Sequence, residues 1–294
     1  MKNMIFMLVL SLFFYSAVST LYSFEWPVKD PRIISTFGSR AGKSYNKGIE
    51  IFSSSEDVSP IEAGEVVLRC SEYAKGVHDL PSPLGNLTVL QHERGIQSIY
   101  GHFASPAVED VPFYDITDQI GIIGSSGTIE ARLLHLQLID SEVNRYVNPL
   151  LSLPSIGDTS EPQLNGAILS SAKGSFPLER ATTIPQGRYG LSVNTFDERS
   201  AGGAVHRMAP YSIKVYINGE AKDSLSFESL TIRDWSAVPT APPALEAAQL
   251  YSGPWEFQLG DVTLQPGEAA VEIFVNDFSG NEAIQTYRIE VTAN

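Results

Sequence analysis

The side chains best suited to bind a ligand or move a proton lie in the first half of the chain: Asn46, Glu50, His102, His135 and Gln137. The last two belong to residues 134–138, a Leu-His-Leu-Gln-Leu run whose strict alternation predicts a half-buried strand. Successive side chains of a strand point to opposite faces, so His135 and Gln137 share one face and the three leucines the other. An imidazole beside a carboxamide on the same face predicts part of a polar site.

The elements that must position these residues are short strands. Runs rich in β-branched residues, separated by Gly, Pro, Ser and Asn, occur at Gly64–Leu68, Asn86–Gln91, Ile96–Tyr100 and Gln119–Ile123. No stretch of ten or more residues shows a helical period. Residues 24–152 are therefore predicted to form an all-β domain of antiparallel strands.

The second half shows a different β pattern. Residues 153–165 are rich in turn formers and are predicted to be a linker. Residues 166–294 are predicted to pack as two sheets, with strands at Tyr189–Phe196, Tyr211–Ile217, Leu225–Ile232, Ala269–Val275 and Thr286–Val291. Asn218-Gly219 is a hairpin signal. Residues 236–254, rich in Pro and Ala, are predicted to be a long loop. Residues 275–281 resemble the turn before the last strand of bacterial immunoglobulin-like domains, which implies an immunoglobulin-like β-sandwich without catalytic residues.

Composition narrows the range of partners. The chain has 294 residues, enough for about two domains, with 43% hydrophobic and 18% charged residues. Its formal net charge of −14 argues against nucleic acid and anionic membrane surfaces as partners, because like charges repel. Residues 1–20 carry Lys2, an apolar run, and small residues Ala17 and Ser19 before a cleavage point, which predicts a signal peptide. An uncleaved membrane anchor is the alternative. The mature protein is expected to be secreted, in the periplasm or cell envelope, with no membrane contact.

The remaining residues of chemical interest have plainer interpretations. Cys70, the single cysteine, cannot form an intramolecular disulfide and is expected to be a buried, inert thiol. His92 is expected in a turn at the end of a strand, and His206 in a solvated loop. His78 lies in a loop-like stretch.

Five motifs occur in an order that carries a family resemblance. They are Phe-Gly-Ser-Arg at 37–40, Asn-Lys-Gly-Ile-Glu at 46–50, Tyr-Gly-His-Phe at 100–103, the glycine-bearing run 121–127 that leads to His135, and Val-Asn-Pro at 147–149. Together they resemble the lysostaphin/LytM-type zinc endopeptidases, which cut peptide cross-links of bacterial cell walls. The resemblance covers residues 24–152. It implies an antiparallel sheet similar to the duplicated hybrid motif.

The same resemblance assigns positions to the site residues. In those endopeptidases the zinc ligands are a His and an Asp four residues apart and the last His of a His-x-His motif. In this chain the three positions hold Asn46, Glu50 and Gln137. The family's two other histidines, which assist catalysis, match His102 and His135. A carboxamide is a weak zinc ligand, and Glu50 is one methylene longer than Asp. The expectation is that no zinc binds at Asn46, Glu50 and Gln137, so that no metal activates water.

Three functions follow as alternatives. The first is a non-catalytic pseudopeptidase, cell-wall-binding or regulatory, whose groove residues Asn46, Glu50, His102, His135 and Gln137 hold a peptidoglycan peptide or an envelope protein. The second is an active zinc endopeptidase in which His102 and His135 are catalytic. The third is a structural or adhesive envelope protein that works through its second half. A rearranged metal site of Glu50, His102 and His135 has sufficient ligands, although their positions differ from the family pattern by a side-chain length.

Overall fold

A computed structural model describes residues 24–71, 82–105 and 111–293, and this part of the chain is almost entirely β-structure. The all-β prediction is confirmed. The predicted signal peptide and His78 lie outside the described residues. Among the described helices, none has the length and apolar character needed to cross a membrane.

The first half contains twelve of the described strands. They are β1 (Arg32–Ser35), β2 (Arg40–Ala41), β3 (Ser44–Tyr45), β4 (Ile49–Phe52), β5 (Asp57–Val58), β6 (Gly64–Cys70), β7 (Asn86–Gln91), β8 (Ile96–Phe103), β9 (Phe113–Tyr114), β10 (Gly121–Ile122), β11 (Leu134–Asp140) and β12 (Arg145–Val147). Short 3₁₀ turns lie at Glu93–Gly95 and Pro149–Leu151.

The second half contains the remaining described strands and one short helix. They are β13 (Gln163–Ser171), β14 (Gly174–Pro177), β15 (Thr183–Pro185), β16 (Gly187–Ala201), β17 (Ala204–Met208), β18 (Ser212–Ile217), β19 (Glu220–Ser226), β20 (Ser229–Arg233), β21 (Ser236–Pro239), α1 (Ala247–Leu250), β22 (Glu256–Leu264), β23 (Gly267–Asn276) and β24 (Glu282–Thr292).

Strand β11 lies at the centre of the main sheet. It pairs with β8 along one side, while β4 and then β12 occupy the other side. Leu134, Leu136 and Leu138 of β11 are buried in the core, as the alternating pattern predicts. The sheet continues through β7, β6 and β9 in one direction and through β20 and β21 in the other. The polar face of β11 is buried too, with His135 4% and Gln137 8% exposed, so the strand is not half-buried as predicted: neighbouring elements cover both faces at the middle of the sheet.

The second half forms two further five-stranded sheets. One has the order β14-β13-β16-β17, with β22 also paired to β16, and the other has the order β15-β24-β23-β18-β19. Asn218 and Gly219 join β18 to β19 with positive φ values of 52° and 76°, which suits a tight hairpin turn. One continuous hydrophobic core contains buried residues of both halves. The immunoglobulin-like assignment stays a prediction.

The second half also completes the sheet of the first. Residues 225–232, predicted as one strand, are divided between β19 and β20, which belong to different sheets. The division falls at Phe227, whose side chain is fully buried beside Tyr45 of the first half. Strand β20 then pairs with β12, so that Leu230 lies opposite Tyr146. The chain crosses between sheets here because Phe227 packs into the junction between the halves.

Residues 236–254 are not the long loop that their composition predicts. They contain β21 and α1, and they pack onto the first half. The Tyr45 hydroxyl donates to the Leu245 carbonyl at 2.7 Å, and the Tyr251 hydroxyl donates to the Gly38 carbonyl at 2.8 Å. Prolines and alanines are compatible with this segment because its order comes from tertiary contacts rather than from local propensity.

Candidate functional site

Three neighbouring strands bring Glu50, His102 and His135 together. On β11, His135 lies opposite Glu50 of β4 and opposite Gly101 of β8. His102 follows Gly101 directly. The two imidazole rings have centroids 6.0 Å apart and meet edge to face at 80°. One ligand atom from each of the three side chains lies within 4.8 Å of the others.

His135 and Glu50 form a buried pair. The Nδ1 atom of His135 lies 2.8 Å from Oε1 of Glu50, and the two side chains are 5% and 18% exposed. A carboxylate only accepts hydrogen bonds, so Nδ1 carries the proton of this contact. The other polar atoms of the pair, His135 Nε2 and Glu50 Oε2, are buried and have no hydrogen-bond partner. Such atoms are uncommon in folded proteins.

His102 is held in a defined orientation and tautomer. Its Nδ1 donates to the Ser126 carbonyl at 2.8 Å, so Nε2 presents a lone pair. Its backbone has a φ of 66°, and its backbone N–H donates to the Leu84 carbonyl at 2.7 Å. Burial lowers the pKa of His102, and the nearby His135 adds to that effect, while the Ser126 carbonyl and Glu50 oppose it. The imidazole is therefore neutral at neutral pH.

Asn46 stabilises the loop before β4 through its side chain and its backbone. Its Nδ2 donates to Ser35 Oγ at 3.1 Å, and its Oδ1 accepts from the Gly48 backbone N–H at 3.1 Å. The main chain of Asn46 is bonded to Gly38 and Ser39. A side chain bonded at both ends stabilises the turn, and one of the two lone pairs on its oxygen is engaged in that turn.

Gln137 lies two residues beyond His135 on the same strand, opposite Ile99 of β8. It is 8% exposed. The structure thus brings Glu50, His102 and His135 together. Asn46 borders them through Gly48, since a Cβ atom on Gly48 would lie 2.8 Å from His135 Nε2.

These observations test whether zinc fits the family ligand positions. Asn46 and Gln137 offer only amide oxygens, and the Asn46 oxygen already accepts a hydrogen bond. One Glu50 oxygen is bonded to His135. Zinc prefers thiolate, imidazole and carboxylate ligands. The residues at positions 46, 50 and 137 therefore do not fit a zinc ion held in the family manner.

The other candidate residues lie elsewhere and differ from the expectations for them. His92 is a buried histidine and not only a turn residue: its Nε2 lies 2.6 Å from Ser98 Oγ, and its Nδ1 lies 3.1 Å from the Ala63 carbonyl. His206 lies on strand β17 rather than in a solvated loop. Cys70 ends β6 and is half-buried instead of fully buried, because that strand keeps much of its surface exposed.

A second polar cluster was not predicted from the sequence. Asp158, Asp197 and Asp277 lie together, with Arg199 Nη2 3.0 Å from Asp158 Oδ2 and Arg199 Nε 3.7 Å from Asp197 Oδ2. Burial, with Asp277 and Asp158 adding to it, raises the pKa of Asp197 to about 6, and Arg199 opposes the shift. The positive charge of Arg199 offsets the carboxylates, and its ion pair with Asp158 connects the predicted linker to the second half.

Two sequence comparisons match parts of this chain to known proteins. A protein-family model matches residues 161–292. A curated uncharacterized protein of Treponema pallidum (strain Nichols) is 28% identical over 89 residues, which cover 28% of this chain and 60% of that protein. This chain therefore matches less than two thirds of the length of that relative.

The similar solved structures include peptidases of the predicted kind. A zinc-containing peptidase from Vibrio cholerae has a TM-score of 0.37 and 20% identity, over 45% of this chain and 41% of that one. Lysostaphin from Staphylococcus simulans has a TM-score of 0.38 and 16% identity, over 92% of each chain. The SpoIIQ–SpoIIIAH pore-forming complex has a TM-score of 0.37 and 19% identity, over 46% of this chain and 92% of the other. The predicted resemblance to lysostaphin-type peptidases is confirmed, but similarity at this level carries no argument about activity.

Proposed function

We propose that this protein is a secreted pseudopeptidase of the bacterial cell envelope, which binds a peptide through the polar face of β11 and does not hydrolyse it. The observation that carries the proposal is the state of Asn46. Both ends of its carboxamide are used within the loop, by Ser35 and by Gly48. The first ligand position of the resembled zinc endopeptidases has become part of the scaffold.

The second ligand position supports the same conclusion. Glu50 forms an ion pair or hydrogen bond with His135 at 2.8 Å, which engages one carboxylate oxygen and one imidazole nitrogen. The hydrogen bond from His102 Nδ1 to the Ser126 carbonyl fixes the orientation of the His102 ring. Without a metal ion at the family positions, nothing lowers the pKa of a water molecule to about 7 or polarises a peptide carbonyl. The imidazoles alone supply proton acceptors but no electrophile.

The same residues are suited to binding. Glu50, His102 and His135 lie in one polar cluster whose carboxylate and imidazole acceptors can pair with N–H or ammonium groups. Peptidoglycan peptides and extended segments of envelope proteins both offer such donors. A signal peptide at residues 1–20, as the sequence predicts, would bring the mature chain to a compartment where either is met.

The test uses the full mature chain and insoluble peptidoglycan. We expect the protein to sediment with the polymer and to release no new amino groups, with or without added zinc. His135→Gln, which keeps the polar shape but removes the imidazole, should reduce sedimentation. Arg188→Gln should not, because Arg188 is exposed on the second half, where its ion pair among the described residues is with Asp261. If the wild-type protein bound neither the polymer nor a soluble envelope extract, or if Arg188→Gln lost as much as His135→Gln, the proposal would be wrong.

An active endopeptidase is the second candidate, and the retained imidazoles of His102 and His135 favour it. In that case the same incubation releases amino groups, and a chelator abolishes the release. A chelator-sensitive release that disappears in His102→Gln would replace the pseudopeptidase proposal with this one.

A further inference from the structure

We propose that Trp235, at the tip of the β20–β21 hairpin, is the centre of a carbohydrate-binding surface that takes a neutral chain of pyranose sugars. The hairpin forms one edge of the main sheet, and β12 lies between it and β11. The surface is therefore separate from the cluster of Glu50, His102 and His135. The inference does not rest on peptide binding at that cluster.

Trp235 differs from the other two tryptophans of the chain. It is 99% exposed, so neither face of its indole ring packs on the protein. Trp26 is half-buried, and its Nε1 donates to the Pro154 carbonyl at 2.9 Å. Trp255 is also half-buried and lies against Phe196, with ring centroids 6.0 Å apart. Tryptophan side chains are highly buried on average, so a fully exposed indole indicates a surface that another molecule covers.

The backbone of this turn opposes a large side chain. Arg233 pairs with Ser236, which leaves Asp234 and Trp235 as the two residues of the turn. Their φ values are 49° and 68°, the left-handed pair of a type I′ turn, which favours glycine at its second position. An indole placed there carries a backbone cost that no packing of the ring offsets. A local conflict of this kind, without a compensating contact, is typical of a functional position.

A second hairpin tip lies beside this one. Arg145 of β12 pairs with Thr231 of β20, and β20 continues for two residues beyond that pair. The β11–β12 turn at residues 141–144 therefore borders the β20–β21 turn. The two tips carry exposed charged side chains, two negative and two positive: Glu142, Asp234, Arg145 and Arg233. Their charges cancel, so the two tips together are neutral in a chain whose formal net charge is −14.

These features favour a sugar chain over other partners. Anionic lipids attract a net positive surface, and the two tips do not have one. An anchor residue in a protein interface is surrounded by contacts that exclude water, whereas Trp235 is surrounded by charged side chains, with Val143 and Ile232 as apolar neighbours that are 52% and 40% exposed. A neutral pyranose ring fits, because its flat C–H face packs on the slightly negative face of the indole. Its hydroxyl groups can pair with the guanidinium and carboxylate groups around the ring.

The experiment is a titration of the full mature chain with an N-acetylglucosamine hexamer, a neutral pyranose chain that carries no peptide. Affinity is measured by isothermal titration calorimetry, and the site is located by nuclear magnetic resonance of the three indole N–H groups. We expect the signal that is absent in Trp235→Phe to shift on titration, while the signals of Trp26 and Trp255 stay in place.

Three variants separate sugar binding from stability and from the proposed peptide site. Trp235→Gly should weaken binding by ~10-fold or more, as the loss of an aromatic stacking partner does for nucleotide bases. Its melting temperature should not fall below that of the wild type, because glycine suits the turn. Phe113→Ala is the matched control and should keep the affinity, since Phe113 is 51% exposed at the opposite edge of the same sheet. His135→Gln should also keep it, because the hexamer offers no peptide.

Three results would overturn the inference. They are no binding of the hexamer by the folded wild-type chain, an unchanged affinity in Trp235→Gly, and a melting temperature of Trp235→Gly several degrees below that of the wild type, which would give the residue a structural role. Vesicles of zwitterionic and of anionic phospholipid are tested in parallel. If the Trp235 signal disappears on addition of vesicles while the hexamer leaves it unshifted, the surface docks on a membrane instead.

Discussion

The contact between Gly38 and Phe227 tests whether the two halves of the chain are energetically coupled. Gly38 has a φ of 85°, and a Cβ atom there would lie 2.3 Å from the Phe227 ring. Phe227 is fully buried and packs near Tyr45 and Phe257, with ring centroids 5.8 and 6.5 Å away. We predict that Gly38→Ala and Phe227→Ala destabilise the protein non-additively.

The magnitudes follow from the two environments. Phe227→Ala leaves a cavity in the core and should cost about 3–5 kcal/mol. Gly38→Ala should cost ~1–2 kcal/mol from its left-handed backbone, with the ring overlap in addition. The double variant removes the ring that causes the overlap, so its cost should fall short of the sum by about 1–3 kcal/mol. Gly42→Ala is the matched control, because Gly42 has a φ of 64° but no atom within 4 Å of an added Cβ.

Urea denaturation followed by tryptophan fluorescence gives the four free energies of the cycle. We expect a single transition in the wild type, because the hydrophobic core is continuous across both halves. Gly42→Ala should show the backbone cost alone and should add to Phe227→Ala without coupling. A Gly38–Phe227 coupling below about 0.5 kcal/mol would contradict the close packing at this junction.

Three further predictions concern buried polar groups. Burial raises the pKa of Asp197 from 3.8 to about 6, so the folded state stays protonated to a higher pH than the unfolded state does. The free energy of unfolding therefore falls as the pH rises from about 4 to 6. Asp197→Asn should recover up to about 3 kcal/mol of that free energy at pH 7, measured by thermal and urea unfolding. Burial lowers the pKa of His92, so stability should fall as pH drops below about 6.5, and His92→Gln should flatten that pH dependence. Asn148 donates to the Phe227 carbonyl and accepts from the Leu150 N–H, so Asn148→Ala should cost about 1–3 kcal/mol in chemical denaturation.

The strands of the first half were predictable from their β-branched runs and from the turn residues between them. The run 86–91 has the same bounds in sequence and structure, although β7 and β11 are buried on both faces rather than on one. Two long strands of the second half were missed because bulges interrupt their alternation. In β22, the buried residues Phe257 and Leu259 are followed by Val262 and Leu264, and the pairing with β16 shifts between these pairs.

The residues of the site were identifiable from their motifs, but their bonding was not. Asn46 binds Ser35 across a turn, and Glu50 binds His135 across 85 residues of sequence. Such contacts depend on which rotamers the folded strands permit. The cluster of Asp158, Asp197 and Asp277 had no local signal at all, because its members come from three distant segments.

The pairing of β12 with β20 limits how this protein can be dissected. A fragment ending near residue 165 would lose the partner of Arg145–Val147 and expose unpaired backbone groups along that strand. Open strand edges of this kind template self-association. If such a fragment aggregates, the cause is the loss of β20 rather than a folding defect in the first half. Biochemical experiments should therefore use the whole mature polypeptide.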